Sequence, residues 1–221
     1  MVASKLFNPE DRKAVSAAVA EAEKKTSAEI VPVVATTSDA YERAEDIVGL
    51  AMALVVVAVA WTQAHRMPTD WDVESSAVQL PYVLAAMLGG WITGVLLAKA
   101  APWLKRLAIS RKKMTVRVLI AAKHAFDSLH AHKTTGGTGV VIYVSLFERR
   151  VCIWADKHIS AKISEGEWKG ITEALIKTLR DGNAKDGLID AIRRCGDLLA
   201  KDFPIKAGDV NELPNELRLL D

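Results

Sequence analysis

Acidic residues are absent from the whole stretch Lys99–Lys123, and cysteine is almost absent from the chain. Cys152 and Cys195 are the only thiols and form no CxxC pair, which excludes a disulfide scaffold. An excess of charge is missing too: 29 basic residues stand against 27 acidic ones, a net charge of +2. That balance argues against a bulk nucleic-acid binder. Met1–Asp11 lacks an apolar run, so no cleavable signal is expected at the start. What is present points to a folded chain: 50% of residues are hydrophobic and 25% charged, which excludes disorder as the dominant state. The 221 residues suffice for one domain or two small ones, at about 150 residues per domain.

Charge is also missing from two internal runs, Ile47–Ala64 and Ser75–Ala98. At 1.5 Å per residue they reach about 27 and 36 Å, against a hydrocarbon core of about 30 Å. Both are expected to be membrane helices. The aliphatic residues of the first favour insertion by only about 2–5 kcal/mol, so the two should insert together as a hairpin. Trp61, Trp71, Tyr82 and Trp103 stand where interfacial aromatics belong, and Pro81 suits a helix start. Gly90 and Gly94 form a GxxxG spacing, which permits close approach either to the first helix or to a second copy.

The flanks set the expected orientation. Lys99, Lys105, Arg106, Arg111, Lys112, Lys113, Arg117 and Lys123 follow the hairpin, whereas its connecting loop carries Arg66 against Asp70, Asp72 and Glu74. The positive-inside rule then predicts a multi-pass protein of a bacterial-type inner membrane, both termini cytoplasmic, with the Trp71 loop outside.

The residues before the hairpin are too few for an independent domain. Asn8-Pro9-Glu10-Asp11 reads as a capped helix start, with Val15, Ala18, Val19 and Ala22 on its apolar face. Ile30–Ala35 reads as a strand. After the hairpin, Val118, Leu119, Ala122, Phe126 and Leu129 fall at helical spacing. Val140–Val144 and Val151–Ala155 read as buried strands joined by a tight turn at Phe147-Glu148-Arg149. Ser164 and Glu167 have capping-box spacing ahead of a helix bearing Trp168, Ile171, Leu175 and Leu179. Leu188, Ile192, Cys195 and Leu199 mark a last helix. The predicted order is α-β-[two transmembrane helices]-α-β-β-α-α. Residues 1–45 and 101–221 would form one split domain, and residues 46–100 the hairpin inserted into it.

The string Thr138-Gly139-Val140-Val141-Ile142-Tyr143-Val144-Ser145-Leu146-Phe147-Glu148-Arg149-Arg150-Val151-Cys152-Ile153-Trp154-Ala155-Asp156 resembles the signature of the TPM-domain family. Ser27-Ala28-Glu29-Ile30-Val31, Trp168, Gly187-Leu188-Ile189, Phe203-Pro204 and Asn211-Glu212-Leu213-Pro214 extend the resemblance. The family includes thylakoid-lumen and photosystem II repair proteins and is commonly described as phosphatase. The resemblance implies an α/β/α sandwich on a mixed sheet. It also implies acidic residues in a groove at the sheet, linked to weak phosphatase activity or calcium binding; Asp39 and Asp156 are the candidates for them.

These candidates have plainer readings as well. Asp39 and Glu42 have capping-box-like spacing, and Asp156 suits a turn. The crossover makes the first two strands parallel and the tight turn makes the third antiparallel, so the two aspartates belong to opposite sheet ends. The glycines at Thr135–Gly139 leave a helix and enter a strand, the reverse of a phosphate-binding loop. His124, His130 and His132 do not converge on one point of a helix, so no metal is assigned to them. Cys152 and Cys195 read as core residues.

Lys105, Arg106, Arg111, Lys112 and Lys113, with Arg149 and Arg150, are candidates for contact with anionic lipid or an acidic partner. Two functions fit. The preferred one is a non-enzymatic accessory for binding, assembly or repair of membrane complexes, with the bilayer and a membrane protein complex as partners and no cofactor. The alternative is a weak acid phosphatase at the membrane surface, assisted by calcium or magnesium. No nucleophile with a paired base and a phosphate-binding backbone is found, which favours the first.

Overall fold

The structure is a computed structural model that describes residues 2–64, 80–129, 131, 136–205 and 211–221. The Trp71 loop with its flanking charges, His130, His132, Thr134 and Thr135 lie outside the described residues. Two compact units make up the chain: Met1–Asp39 together with Met114–Asp221, and Ala40–Lys113.

The first unit is built on a mixed four-stranded sheet of order β3-β2-β1-β4, with β1 at Glu29–Ala35, β2 at Gly139–Ser145, β3 at Arg150–Ala155 and β4 at Arg218–Leu220. β1 runs parallel to β2, Ile30 opposite Val140 and Ala35 opposite Ser145. β3 returns antiparallel to β2, with Tyr143 opposite Cys152. β1 and β2 are buried along their full length, as continuous apolar runs require when both sheet faces are covered.

Alternate residues serve the two faces. Ile30, Val34, Val140 and Ile142 pack with Val15 and Val19 of α2 (Pro9–Glu23), Leu175 of α8 (Glu165–Arg180), and Leu188, Ile192 and Leu199 of α9 (Ala184–Asp202). Val31, Val33, Val141 and Tyr143 pack with Val118, Ala122 and Phe126 of α6 (Arg111–Ser128). This is an α/β/α sandwich. Its helix starts are those read from the sequence: Asn8 and Asp11 close a capping box on α2, and Ser164 and Glu167 close one on α8.

Four short elements have no periodic signature and were not expected: α1 (Ala3–Leu6), α5 (Pro102–Leu107), α7 (Lys157–Ser160) and β4. The brevity of β4 has a cause in β1. The Glu29 N–H donates to Thr138 O, toward β2, whereas the Thr36 N–H donates to Leu220 O, toward β4. Even-numbered positions of β1 therefore aim their N–H at the β4 side. Pro32 has none to give, and β4 begins only opposite Val33. One step earlier, the Ile30 N–H donates to Glu23 Oε1 at 3.2 Å, so a side chain completes what the short strand leaves.

The second unit contains α3 (Glu42–Ala64), α4 (Leu80–Ala100) and α5. α3 and α4 are long and apolar enough to cross a membrane. Leu54, Val55, Leu84, Leu88 and Leu96 are exposed, so apolar side chains occupy surfaces that a soluble helix keeps polar. The helices approach closely through glycine. A Cβ on Gly90 would lie 2.9 Å from Ala53 Cα, and one on Gly94 would lie 2.8 Å from Gly49 Cα. The GxxxG spacing thus packs α4 on α3. Glu45 near the start of α3 holds Lys105 at 2.7 Å and Lys99 at 3.8 Å.

Candidate functional site

In open α/β sheets, ligands collect beyond the carboxyl ends of parallel strands. Here that end is formed by β1, β2 and β4. Register and pleat place Arg218, Val33 and Tyr143 in one row on the α6 face, and Leu220, Ala35 and Ser145 in the next. The loop after β1 sets Ser38 beside them, and the turn after β2 supplies Glu148.

Ser38, Tyr143, Ser145 and Glu148 form a hydrogen-bonded relay, buried except at the half-buried Ser38. Ser38 Oγ lies 3.3 Å from the Tyr143 hydroxyl and donates to Ser145 Oγ at 3.0 Å. The Ser145 hydroxyl donates in turn to Glu148 Oε2. Glu148 Oε1 accepts the Ser38 N–H at 2.9 Å, tying the loop to the turn. Glu148 is only 5% exposed, and these donors supply the hydrogen bonds a buried carboxylate requires. Burial raises the Tyr143 hydroxyl above the ordinary phenol range, and the charge of Glu148 adds to the rise, so the tyrosine is a proton donor throughout the neutral range.

Asp39 lies at this same end, paired with Arg117 Nε at 3.0 Å. Asp156 lies at the other: it follows Ala155, which pairs with Val140 at the start of β2. There it caps α7, its carboxylate accepting the Lys157 N–H. The fold does not bring the two aspartates together. The glycines at the entry to β2 serve geometry. Gly137 has φ +58, and a Cβ on Gly139 would fall 2.1 Å from the Ala131 carbonyl oxygen. His124 lies on α6, and among the described residues no group of three or more His, Cys, Asp or Glu is placed to hold a metal ion. Burial pushes the half-buried Cys152 thiol up to about 11 and raises that of the fully buried Cys195 as well. Neither is a poised thiolate.

An acidic pair at the amino end of the sheet was missed by sequence reasoning. Glu29 is buried, and its carboxylate accepts the N–H groups of Glu212 and Leu213 at 3.2 and 3.4 Å. Burial pushes the neighbouring Glu23 up to about 8, with Glu29's charge contributing. Glu23 Oε2 is buried and has no hydrogen-bond partner among the described residues, whereas Oε1 accepts the Ile30 N–H. Charged residues on a surface helix normally signal a solvated face, so only the tertiary structure reveals this pair.

The basic candidates are not equivalent. Within the second unit, Lys105 is paired with Glu45 and largely buried, and Lys113 lies 5.9 Å above the Tyr41 ring. Arg111 and Lys112 are exposed, and Arg106 is half-buried. In the first unit, Arg149 is exposed at a turn with φ +53, and Arg150 is half-buried on β3.

Residues 111–198 match a family model described as the TPM domain. Among solved structures, the NMR structure of BA42 protein from the psychrophilic bacterium Bizionia argentinensis is similar to 96% of this chain and 94% of its own length. The identity is 23% and the TM-score 0.56, a likeness of fold. No curated protein matches the sequence.

Proposed function

We propose that this chain, with its TPM domain match over residues 111–198, is a membrane-anchored accessory protein that acts by binding rather than by catalysis. One observation carries the reading: Asp39 and Asp156, the candidate carboxylates of the phosphatase alternative, stand at opposite sheet ends, each holding a structural partner. Asp39 is held by Arg117, and Asp156 is used as the cap of α7. α3 and α4 would anchor the chain in a bacterial-type inner membrane, with both termini cytoplasmic and the basic stretch at the membrane surface. Arg106, Arg111 and Lys112 would then face anionic lipid, at up to about 1 kcal/mol per basic residue near the surface. The partners are the bilayer and a membrane protein complex.

A second reading, a weak metal-assisted phosphatase, is favoured by Glu23 and Glu29. Two carboxyls side by side, one of them pushed up to about 8 by burial, resemble the pairs that acid–base catalysis uses. The pair lines a pocket of about 210 Å³ with Asn211 and Asn215. The deciding experiment assays the full-length protein on p-nitrophenyl phosphate with calcium, with magnesium, and with neither. The accessory reading expects no turnover above a heat-inactivated control. Turnover abolished by Glu23→Gln or Asp39→Asn in a folded variant would overturn it.

A further inference from the structure

Among the described residues, α6 with Ala131 and Leu213 covers one face of the sheet, whereas α2, α8 and α9 pack on the other. Between α6 and the short edge strand β4 this leaves a groove of about 700 Å³, within the range of small-molecule sites. Its walls carry Ile120 and Leu220, 54% and 47% exposed, and Ala121, Ala125 and Leu129 extend the apolar lining. Arg117, His124 and Arg218 are among its polar positions.

Arg218 decides what such a groove would hold. Opposite Val33 in register, it projects on the α6 face, and its Nε is buried without a hydrogen-bond partner among the described residues. A buried guanidinium N–H in that state is costly, and an anion is its natural complement. The carboxylates at this end are engaged elsewhere. Asp39 holds Arg117, Glu148 takes the Ser38 N–H and the Ser145 hydroxyl, and Asp221 takes the Ser4 N–H and the Thr36 hydroxyl.

We propose that the groove between α6 and β4 binds a small amphipathic anion, an apolar chain ending in a carboxylate or phosphate, with Arg218 receiving the anionic group. The apolar chain lies along Ile120, Ala121 and Leu220.

The test uses the full-length protein in nanodiscs of zwitterionic lipid, observed by saturation-transfer NMR of three probes: octanoate, 1-octanol and acetate. Octanoate should bind saturably, octanol about tenfold more weakly, and acetate not measurably, because chain and charge are both required. Arg218→Gln should bring octanoate down to the level of octanol. Ala121→Phe, which fills the groove, should abolish saturable binding of both and corrects for partition into lipid. Gly170→Ala, on α8 with open space around it, should change nothing. If Arg218→Gln fails to fold, Arg218→Lys, which keeps the charge but not the planar fork, should still weaken octanoate several-fold. Equal binding of octanoate and octanol, no saturable octanoate binding, or octanoate binding that survives Ala121→Phe would each overturn the proposal.

Discussion

Asp39 and Arg117 stand on opposite sides of the apolar insertion in sequence, and their side chains meet at 3.0 Å. The sandwich thus loses its chain after Asp39 and regains it beside the same point. Both side chains are partly exposed, so the pair contributes at most about 1 kcal/mol. Its value is as a marker of where the two halves of the domain join.

Joining residue 39 to residue 114 through a short glycine–serine linker should therefore give a soluble domain that unfolds cooperatively in urea. Residues 114–221 alone lack α2 and the central strand β1 and should be insoluble or unfold without cooperativity. Circular dichroism across a urea titration compares the two. Equal behaviour would mean that β1 is dispensable.

Glu148 carries the loop-to-turn connection at the carboxyl end of the sheet. Glu148→Ala should destabilise the domain by about 2–4 kcal/mol, because the Ser38 N–H and the Ser145 hydroxyl lose a charged acceptor in a buried place. Glu148→Gln should cost less, since one amide oxygen still accepts. Chemical denaturation of the linked domain measures both.

Glu23 should impose a pH dependence. Its carboxyl titrates near 8 in the folded chain against 4.5 ordinarily, so the folded state holds an extra proton between those values. Stability from this group is fully present below about pH 4.5 and is lost as pH rises through about 8. The melting temperature should fall across that window, and Glu23→Gln should flatten the slope. A variant with the wild-type slope would remove Glu23 as its origin.

Gly94→Leu should separate α3 from α4, because the added side chain meets the backbone of Gly49. The expected loss is about 1–3 kcal/mol, read as thermal stability in detergent. Gly89→Leu has open space around it and should be neutral. Equal effects would dissociate the GxxxG spacing from the packing of the hairpin.

Orientation can be read with reporters that are active only outside the cytoplasm. A fusion at residue 221 should be silent, and one near Trp71 active. The reverse pattern would place the sandwich outside the cytoplasm and overturn the inner-face reading.

Much of the sandwich was legible because its strands are uninterrupted apolar runs and its helices carry their own caps. The parallel pairing of Ile30–Ala35 with Val140–Val144 followed from the crossover, and with it the separation of Asp39 from Asp156. β4 was not legible: Arg218, Leu219 and Leu220 have no alternation long enough to read, and become a strand only because β1 offers an edge. Ser38, Tyr143, Ser145 and Glu148 look like ordinary loop and strand residues until register stacks them. Asp156 was read as a turn residue, and the unexpected α7 makes it a cap.

The position of β1 also has a consequence for synthesis. The strand at the centre of the sheet leaves the ribosome before either apolar helix, and its first neighbour, β2, follows the second of them. At about 5–20 residues per second, roughly 5–20 s pass between the end of β1 and the start of β2. Through that interval a strand apolar but for Glu29 waits without either partner while α3 and α4 are translated. Delivery of α3 and α4 and closure of the sheet are thus sequential stages of one maturation pathway, and a delay in the first prolongs the exposure of the strand on which the second depends.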